Sequence, residues 1–108
     1  MNLSERLKLY QQLFFEKKFS QIINEIENFE KIKNSQILNI LGVCKMMKKK
    51  KTKEDILSAS ENFREAYLKE KHSSAGLEAL VNFMNVSTDL GKFEESIKYY
   101  KEEEKNFD

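Results

Sequence analysis

Residues 56–66 read ILSASENFREA, in which four positions follow one another at steps of three, four and three residues: Ile56, Ala59, Phe63 and Ala66. The same steps separate two further sets: Phe19, Ile22, Ile26 and Phe29, then Phe93, Ser96, Tyr100 and Glu103. Such steps place side chains on one face of an α-helix. The three sets begin 37 residues apart, and a period between about 20 and 50 residues indicates stacked helical repeats.

The composition of the chain also favours helices. Its 108 residues, 1–108, predict a single domain. The chain contains no proline and three glycines, and a sequence with so few turn-forming residues favours long helices joined by short connections. Apolar residues make up 40% and charged residues 34% of the chain, which is typical of helices that each keep one wet face. We therefore expect an all-α fold.

The apolar pattern divides the chain into three helical hairpins, approximately residues 3–33, 35–71 and 73–108. Four sites predict where helices begin or end: Ser4 and Ser35 as N-caps, Thr52 with Asp55 as a capping box, and Gly91 as a left-handed helix end.

All three hairpins resemble the tetratricopeptide repeat, the first of them more weakly than the other two. The resemblance rests on Leu38-x-x-Leu41-Gly42 followed by Ala59, Phe63 and Ala66, and on Leu80-x-x-Phe83-Met84 followed by Leu90-Gly91-Lys92-Phe93, Ser96 and Tyr100. The chain departs from the family in three ways: it has no proline, it has Ile22 where a small residue is typical, and it carries an insertion at residues 48–53. The resemblance implies three hairpins stacked as a short right-handed α-solenoid, with Gly42 lying close to Ala59 and Ala66.

Tetratricopeptide repeats typically bind partners on the concave surface formed by the first helix of each hairpin. The matching positions predict these groove residues: Gln11, Phe14, Asn39, Val43, Met46, Met47, Asn85, Thr88 and Asp89. Amides can hydrogen-bond an extended backbone, and methionines adapt to irregular apolar groups. For Val43 and Met47, packing against a neighbouring helix is an equal alternative. The positions lack the lysines and arginines with which some family members grip a C-terminal carboxylate, so that kind of recognition is disfavoured.

Charge is distributed unevenly along the chain, although the formal net charge is only +1. Four consecutive lysines, Lys48, Lys49, Lys50 and Lys51, indicate either a solvated loop or a contact for an anionic group. No aromatic residue flanks this run, and the chain has no overall positive field. We therefore do not expect a nucleic-acid partner.

The residues that usually carry chemistry are isolated in this sequence. His72 is the only histidine and Cys44 the only cysteine, and Cys44 lies in the most apolar predicted helix, as a core residue would. We therefore predict no enzymatic activity, no cofactor and no metal site. The polar N-terminus, the single cysteine and the lack of a long apolar run predict a cytoplasmic protein without a membrane span.

The leading functional hypothesis is a non-catalytic module that binds a peptide or a partner protein in its concave groove. The alternative is the front part of a larger enzyme, because the sequence is similar to repeat segments placed before glycosyltransferase-type domains in AT-rich bacteria. In that role it would position an acceptor or mediate oligomerisation. The last helix carries apolar residues that no following helix covers: Ile97, Tyr99, Tyr100 and Phe107. This face predicts a homodimer or contact with a continuing domain.

Overall fold

The fold is all-α, as expected. A computed structural model describes residues 1–31 and 33–106, and in this part of the chain it contains α-helices and no strand. The helices are α1 (Leu3–Phe15), α2 (Phe19–Phe29), α3 (Ser35–Met47), α4 (Lys53–Lys69), α5 (Ser74–Leu90) and α6 (Glu94–Glu104). None of the helices described is long and apolar enough to cross a bilayer. Phe107 of the predicted C-terminal face lies outside the described residues.

Two predicted helix ends are confirmed. Thr52 and Asp55 form a capping box, in which the backbone amide of Asp55 donates to Thr52 Oγ1 and that of Thr52 donates to Asp55 Oδ2 at 2.8 Å. Gly91 ends α5 with φ of 69°, a backbone conformation that glycine adopts without a Cβ clash.

Two predicted N-caps are wrong. The side chain of Asn2, not Ser4, accepts the amide of Glu5 at 2.9 Å and begins α1. Similarly, Asn34 caps α3. Ser35 is fully buried instead, and its hydroxyl donates to the carbonyl oxygen of Ala66 on α4 at 2.6 Å.

Packing is most extensive at the centre of the chain. Helix α4 lies against both α3 and α5, and α3 also contacts α5. Helix α2 contacts α3, whereas α1 packs mainly on α2 and α6 mainly on α5. The buried apolar residues form two clusters, one centred on α4 and α5 and one between α1, α2 and α3.

Gly42 lies where α3 approaches α4, as predicted, but its nearest neighbour on α4 is Phe63 and not Ala59 or Ala66. Gly42 is buried on α3, and a Cβ atom placed on it would lie 2.6 Å from Cε1 of Phe63 on α4. Ala59 and Ala66, one helical turn to either side of Phe63, are completely buried. Small side chains at these positions allow α3 and α4 to approach closely, and the aromatic ring fills the space that a larger residue at position 42 would take.

Candidate functional site

A groove of about 520 Å³ runs between α1 and α3. Its lining residues are Leu7, Tyr10, Gln11, Phe14, Gln36, Asn39, Ile40, Val43 and Glu78. A smaller cavity of about 260 Å³ shares Gln36, Asn39, Ile40 and Glu78 with it and adds Ser74 and Ala75 of α5. The two cavities form one strip across α1, α3 and α5, which we call the α1–α3 groove.

Asn39 is the best-positioned polar group of this groove. It is buried on α3, and its Oδ1 accepts a hydrogen bond of 2.9 Å from Nδ2 of Asn82 on α5. Because this bond fixes the side-chain oxygen toward α5, the NH₂ group of Asn39 is left as a donor. Among the described residues, no acceptor binds that NH₂ group. It can therefore donate to a carbonyl oxygen of a ligand in the groove.

The floor of the α1–α3 groove is apolar and held in place. The ring of Tyr10 is buried, and its hydroxyl donates to Glu30 Oε1 at 2.8 Å. Burial and then the bond to Glu30 raise the pKa of the Tyr10 phenol, so the residue stays neutral. Phe14 packs edge-on against Phe19 of α2, with ring centroids 5.2 Å apart. These contacts give α1 a fixed aromatic surface toward the groove.

Glu78 is the one charged side chain among the described residues that line the groove. It is exposed on α5, beside the amides of Gln36 and Asn39 at the junction of the two cavities. A carboxylate attracts a positively charged group and repels a negatively charged one. The α5 side of the groove therefore favours a basic side chain, while the α1 side favours an apolar one.

Four of the predicted groove residues lie together here: Gln11, Phe14, Asn39 and Val43. The others lie elsewhere. Asn85 lines a second groove between α5 and α6, and Met46 packs against the central core cluster. Met47 is exposed, as are Thr88 and Asp89, and none of the three lines a described cavity. The Thr88 hydroxyl donates to the carbonyl of Met84 at 2.9 Å within its own helix.

The four lysines of the run differ in their contacts. Lys48 is half-buried, and its Nζ lies 3.2 and 3.3 Å from the two carboxylate oxygens of Asp55. The backbone amide of Thr52 is the largest cause that lowers the pKa of Asp55, and Lys48 adds to it. Lys48 is therefore part of the α4 capping structure. Lys49, Lys50 and Lys51 are exposed and remain the candidates for an anionic contact.

A further lysine, three residues before this run, is part of the protein interior. Lys45 is buried on α3, and its Nζ donates to Ser58 Oγ at 2.7 Å and to Asn62 Oδ1 at 2.9 Å, both on α4. The same nitrogen lies 3.3 Å from Glu27 Oε2 on α2. The ammonium group thus makes two hydrogen bonds and one ion pair, and the side chain joins three helices.

The isolated residues lie apart from the groove. Cys44 is fully buried, as predicted for a core residue, and burial raises the pKa of its thiol to about 12. His72 is exposed near the end of α6, with Nδ1 3.4 Å from Glu103 Oε2. In residues 1–31 and 33–106, no group of three or more histidine, cysteine, aspartate or glutamate side chains is placed to hold a metal ion.

The sequence did not predict the part that three polar residues play: Gln36 and Glu78, which line the groove, and Asn82, which binds Asn39. A usable signal was present on α5, because Glu78 and Asn82 are four residues apart and form a polar stripe on one face of a helix that is otherwise rich in apolar residues. No family model matches the chain, and neither does any curated protein or solved structure, so the α1–α3 groove is characterised by its own geometry.

Proposed function

We propose that this chain is a non-catalytic binding module that holds an extended segment of a partner protein in the α1–α3 groove. The observation that carries the proposal is the Asn39 amide. Its oxygen is occupied by Asn82, its NH₂ group is available, and an apolar floor lies beside it. A single oriented donor over apolar surface is a common arrangement for recognising a backbone carbonyl.

The other polar residues of the groove suit the same kind of ligand. Gln11 and Gln36 are exposed amides on opposite walls, and each can both donate to and accept from a peptide backbone. An extended chain presents alternating carbonyl and amide groups along each edge. A volume of about 520 Å³ lies within the range of small-ligand sites and holds only a few residues of a peptide.

The distribution of charge defines the preferred sequence of the ligand. Leu7, Tyr10 and Phe14 offer apolar surface on α1, and Glu78 offers a carboxylate on α5. We expect the bound segment to place an apolar side chain on α1 and a lysine or arginine beside Glu78. No chemistry by the module itself is needed for such binding.

We further propose that the three hairpins form a short right-handed α-solenoid of the tetratricopeptide kind. The 37-residue period of the second helices supports this arrangement. So does the packing of α2 on α3 and of α4 on α5, which joins each hairpin to the next. In such a stack, the first helices line the concave surface, where the groove lies.

A peptide-display selection tests the proposed binding. Random peptides selected on the chain would be synthesised and titrated by fluorescence anisotropy against the wild type, Asn39→Ala and Gln36→Ala. Loss of one hydrogen bond is worth roughly 0.5–1.5 kcal/mol, so each variant should weaken binding by about twofold to twelvefold. Gln21→Ala is the matched control, because Gln21 is an exposed amide of α2 that lines neither groove. Its affinity should equal that of the wild type.

A second comparison separates the groove from the lysine run. Replacing Lys49, Lys50 and Lys51 with serine should weaken binding only at low salt, since 0.1 M salt screens exposed charges that lie more than about 10 Å apart. The opposite result would place the binding site in the lysine loop and disprove the groove. In that case the serine variant would fail to bind the peptides at every salt concentration, and Asn39→Ala would bind them normally.

A further inference from the structure

A second groove, of about 260 Å³, lies between α5 and α6. It is lined by Leu77, Leu80, Val81, Met84, Asn85, Tyr100 and Glu103. Its apolar side chains are unusually open: Val81 is 57% and Tyr100 44% exposed. We call it the α5–α6 groove.

The α5–α6 groove corresponds in position to one that is already filled within the chain. Tyr100 and Glu103 follow Phe63 and Ala66 of α4 by 37 residues. Those two residues are buried in one cluster with Leu80 and other apolar residues of α5, which lies against both α3 and α4. On α6 the equivalent Tyr100 has no such cover among the described residues. The secondary-structure element that fits this groove is therefore a helix.

Glu103 gives the α5–α6 groove its charge. The Glu103 side chain is only 4% exposed, and its Oε1 accepts the Tyr67 hydroxyl at 2.7 Å. Its nearest cationic candidate is His72, at 3.4 Å, which is 70% exposed and charged only when protonated. Glu103 also borders a neighbouring cavity of about 340 Å³ with His72, Leu77 and Asn106. The carboxylate thus lies where the groove and this cavity meet.

The chain contains a second buried Glu with a tyrosine partner, and this one has a permanent cation. Glu30 accepts the Tyr10 hydroxyl at 2.8 Å, and Arg6 Nε lies 2.7 Å from the same carboxylate oxygen. The Arg6 N–H is not aligned for a hydrogen bond, so the attraction there is between charges. Burying an ionised carboxylate is costly unless a positive group accompanies it. Glu103 likewise accepts a tyrosine hydroxyl, but no arginine or lysine of the described residues forms an ion pair with it.

We propose that the α5–α6 groove binds an amphipathic helix of a partner protein that carries an arginine or lysine at the end facing Glu103. The lining of α5 runs from Leu77 to Asn85, which is about 12 Å at 1.5 Å per residue. The bound helix needs just over two turns to span this length, with apolar residues toward Val81 and Tyr100. This surface is separate from the α1–α3 groove, and the inference does not depend on the function proposed above.

The test is a display selection of helical peptides. Peptides of about 14 residues, or four turns, would carry leucines on one face in an alanine and glutamine background, with Arg, Lys, Gln, Met or Glu offered at each terminal position. Selected peptides and versions with the basic residue replaced by Gln would then be titrated. We expect Arg or Lys to be enriched, and its replacement to weaken binding by about 10- to 100-fold, the range for a hydrogen-bonded charge.

Variants of the chain assign that effect to Glu103. In Glu103→Gln, the basic peptide and its Gln version should bind within about threefold of each other, the residual effect of an exposed charge. Glu104→Gln, an exposed neighbour, should keep the full preference. His72→Arg would supply a cation within the chain, so it should reduce the preference without removing the carboxylate. Val81→Glu, at an exposed position, should abolish binding of both peptides.

Three results would overturn the inference. One is a selection that enriches no peptide above background. Another is a preference for Arg that persists unchanged in both Glu103→Gln and His72→Arg. The third is a dimer of the free chain in sedimentation that Val81→Glu dissociates, because the groove would then be covered by a second copy.

Discussion

Gly42 and Gly91 meet two different physical demands. At Gly42 the limit is space, because a Cβ atom would lie 2.6 Å from the Phe63 ring. At Gly91 the limit is the backbone, since φ is 69° and an added Cβ atom would meet no described neighbour within 4 Å. A larger residue is disfavoured at both positions, at the first by a neighbour and at the second by the residue's own backbone.

The two glycines can therefore be distinguished by their dependence on Phe63. Gly42→Ala should lower the free energy of unfolding by about 1–2 kcal/mol, the cost of overpacking less the gain in helix propensity. In a Phe63→Leu background that loss should shrink, because the shorter side chain leaves room. Gly91→Ala should cost about 1 kcal/mol in both backgrounds. Urea denaturation of each glycine variant in both backgrounds measures this, and equal coupling of both glycines to Phe63 would refute it.

At the scale of the helices, Lys45 joins three elements by its side chain alone. Lys45→Met keeps a side chain of similar volume and removes the hydrogen bonds to Ser58 and Asn62 and the ion pair with Glu27. Because two neutral acceptors then lose their donor, we expect the free energy of unfolding to fall by about 1–3 kcal/mol. Lys49→Met, at an exposed position, is the control and should change it by less than about 0.5 kcal/mol. Equal melting temperatures for the two variants would contradict this prediction.

Helix α6 is also fastened to α4 by a pair that responds to pH. Glu95 accepts from the Tyr99 hydroxyl and lies 2.7 Å from Nε of Arg64 on α4. The Tyr99 bond first, and the Arg64 guanidinium second, lower the pKa of Glu95. A lowered pKa means that the contribution of this carboxylate to stability is complete above its unfolded pKa. The contribution is lost as the pH falls through the folded pKa.

Glu95→Gln should accordingly reduce the difference in stability between neutral and strongly acidic solution. The reduction should be below about 1 kcal/mol, because both side chains are about a third or more exposed and water screens the pair. Glu94→Gln, at an exposed position one residue earlier, should leave the difference unchanged. Thermal denaturation across the acid range measures both, and a Glu95→Gln profile that matches the wild type would rule out this role.

The helix pattern could be predicted from sequence because it is local. The three-and-four spacing, the Thr52–Asp55 box and the Gly91 turn each depend on a few neighbouring residues. The N-caps at Ser4 and Ser35 failed for a different reason. A competing asparagine stood nearby in each case, and Ser35 is held by Ala66, 31 residues away.

The residues of the site also fall into a group that could be predicted from sequence and a group that could not. Gln11, Phe14, Asn39 and Val43 were predicted because the resemblance to tetratricopeptide repeats assigns their positions on the first helices to the groove. Glu78 and Asn82 were not, because their role depends on how α5 is positioned along α3, and no local pattern fixes that. The buried pair of Glu103 and Tyr67 likewise joins helices through residues 36 positions apart in sequence.

At the scale of the whole molecule, the two grooves have no lining residue in common, although both use α5. A partner segment in the α1–α3 groove leaves the α5–α6 groove open to a helix. The predicted homodimer would use the face of the C-terminal helix, where Ile97 and Tyr100 are exposed but Tyr99 is buried in the core. The predicted role beside a glycosyltransferase-type domain would give the same face an intramolecular occupant. Both remain predictions, and the free chain's sedimentation behaviour distinguishes the first.

The uneven packing of the helices sets the order in which their backbone amides become accessible to solvent. Helix α4 lies between α3 and α5, whereas α1 and α6 have the smallest contacts with the rest of the fold. In deuterated water, amides of α4 should exchange slowest and those of α1 and α6 fastest, since local opening requires the fewest contacts to break there. Uniform exchange across all helices would contradict this order. A peptide that contacts both α1 and α3 would join a loosely packed helix to a well-packed one. We therefore expect peptide binding to slow the deuteration of α1 amides more than that of any other helix.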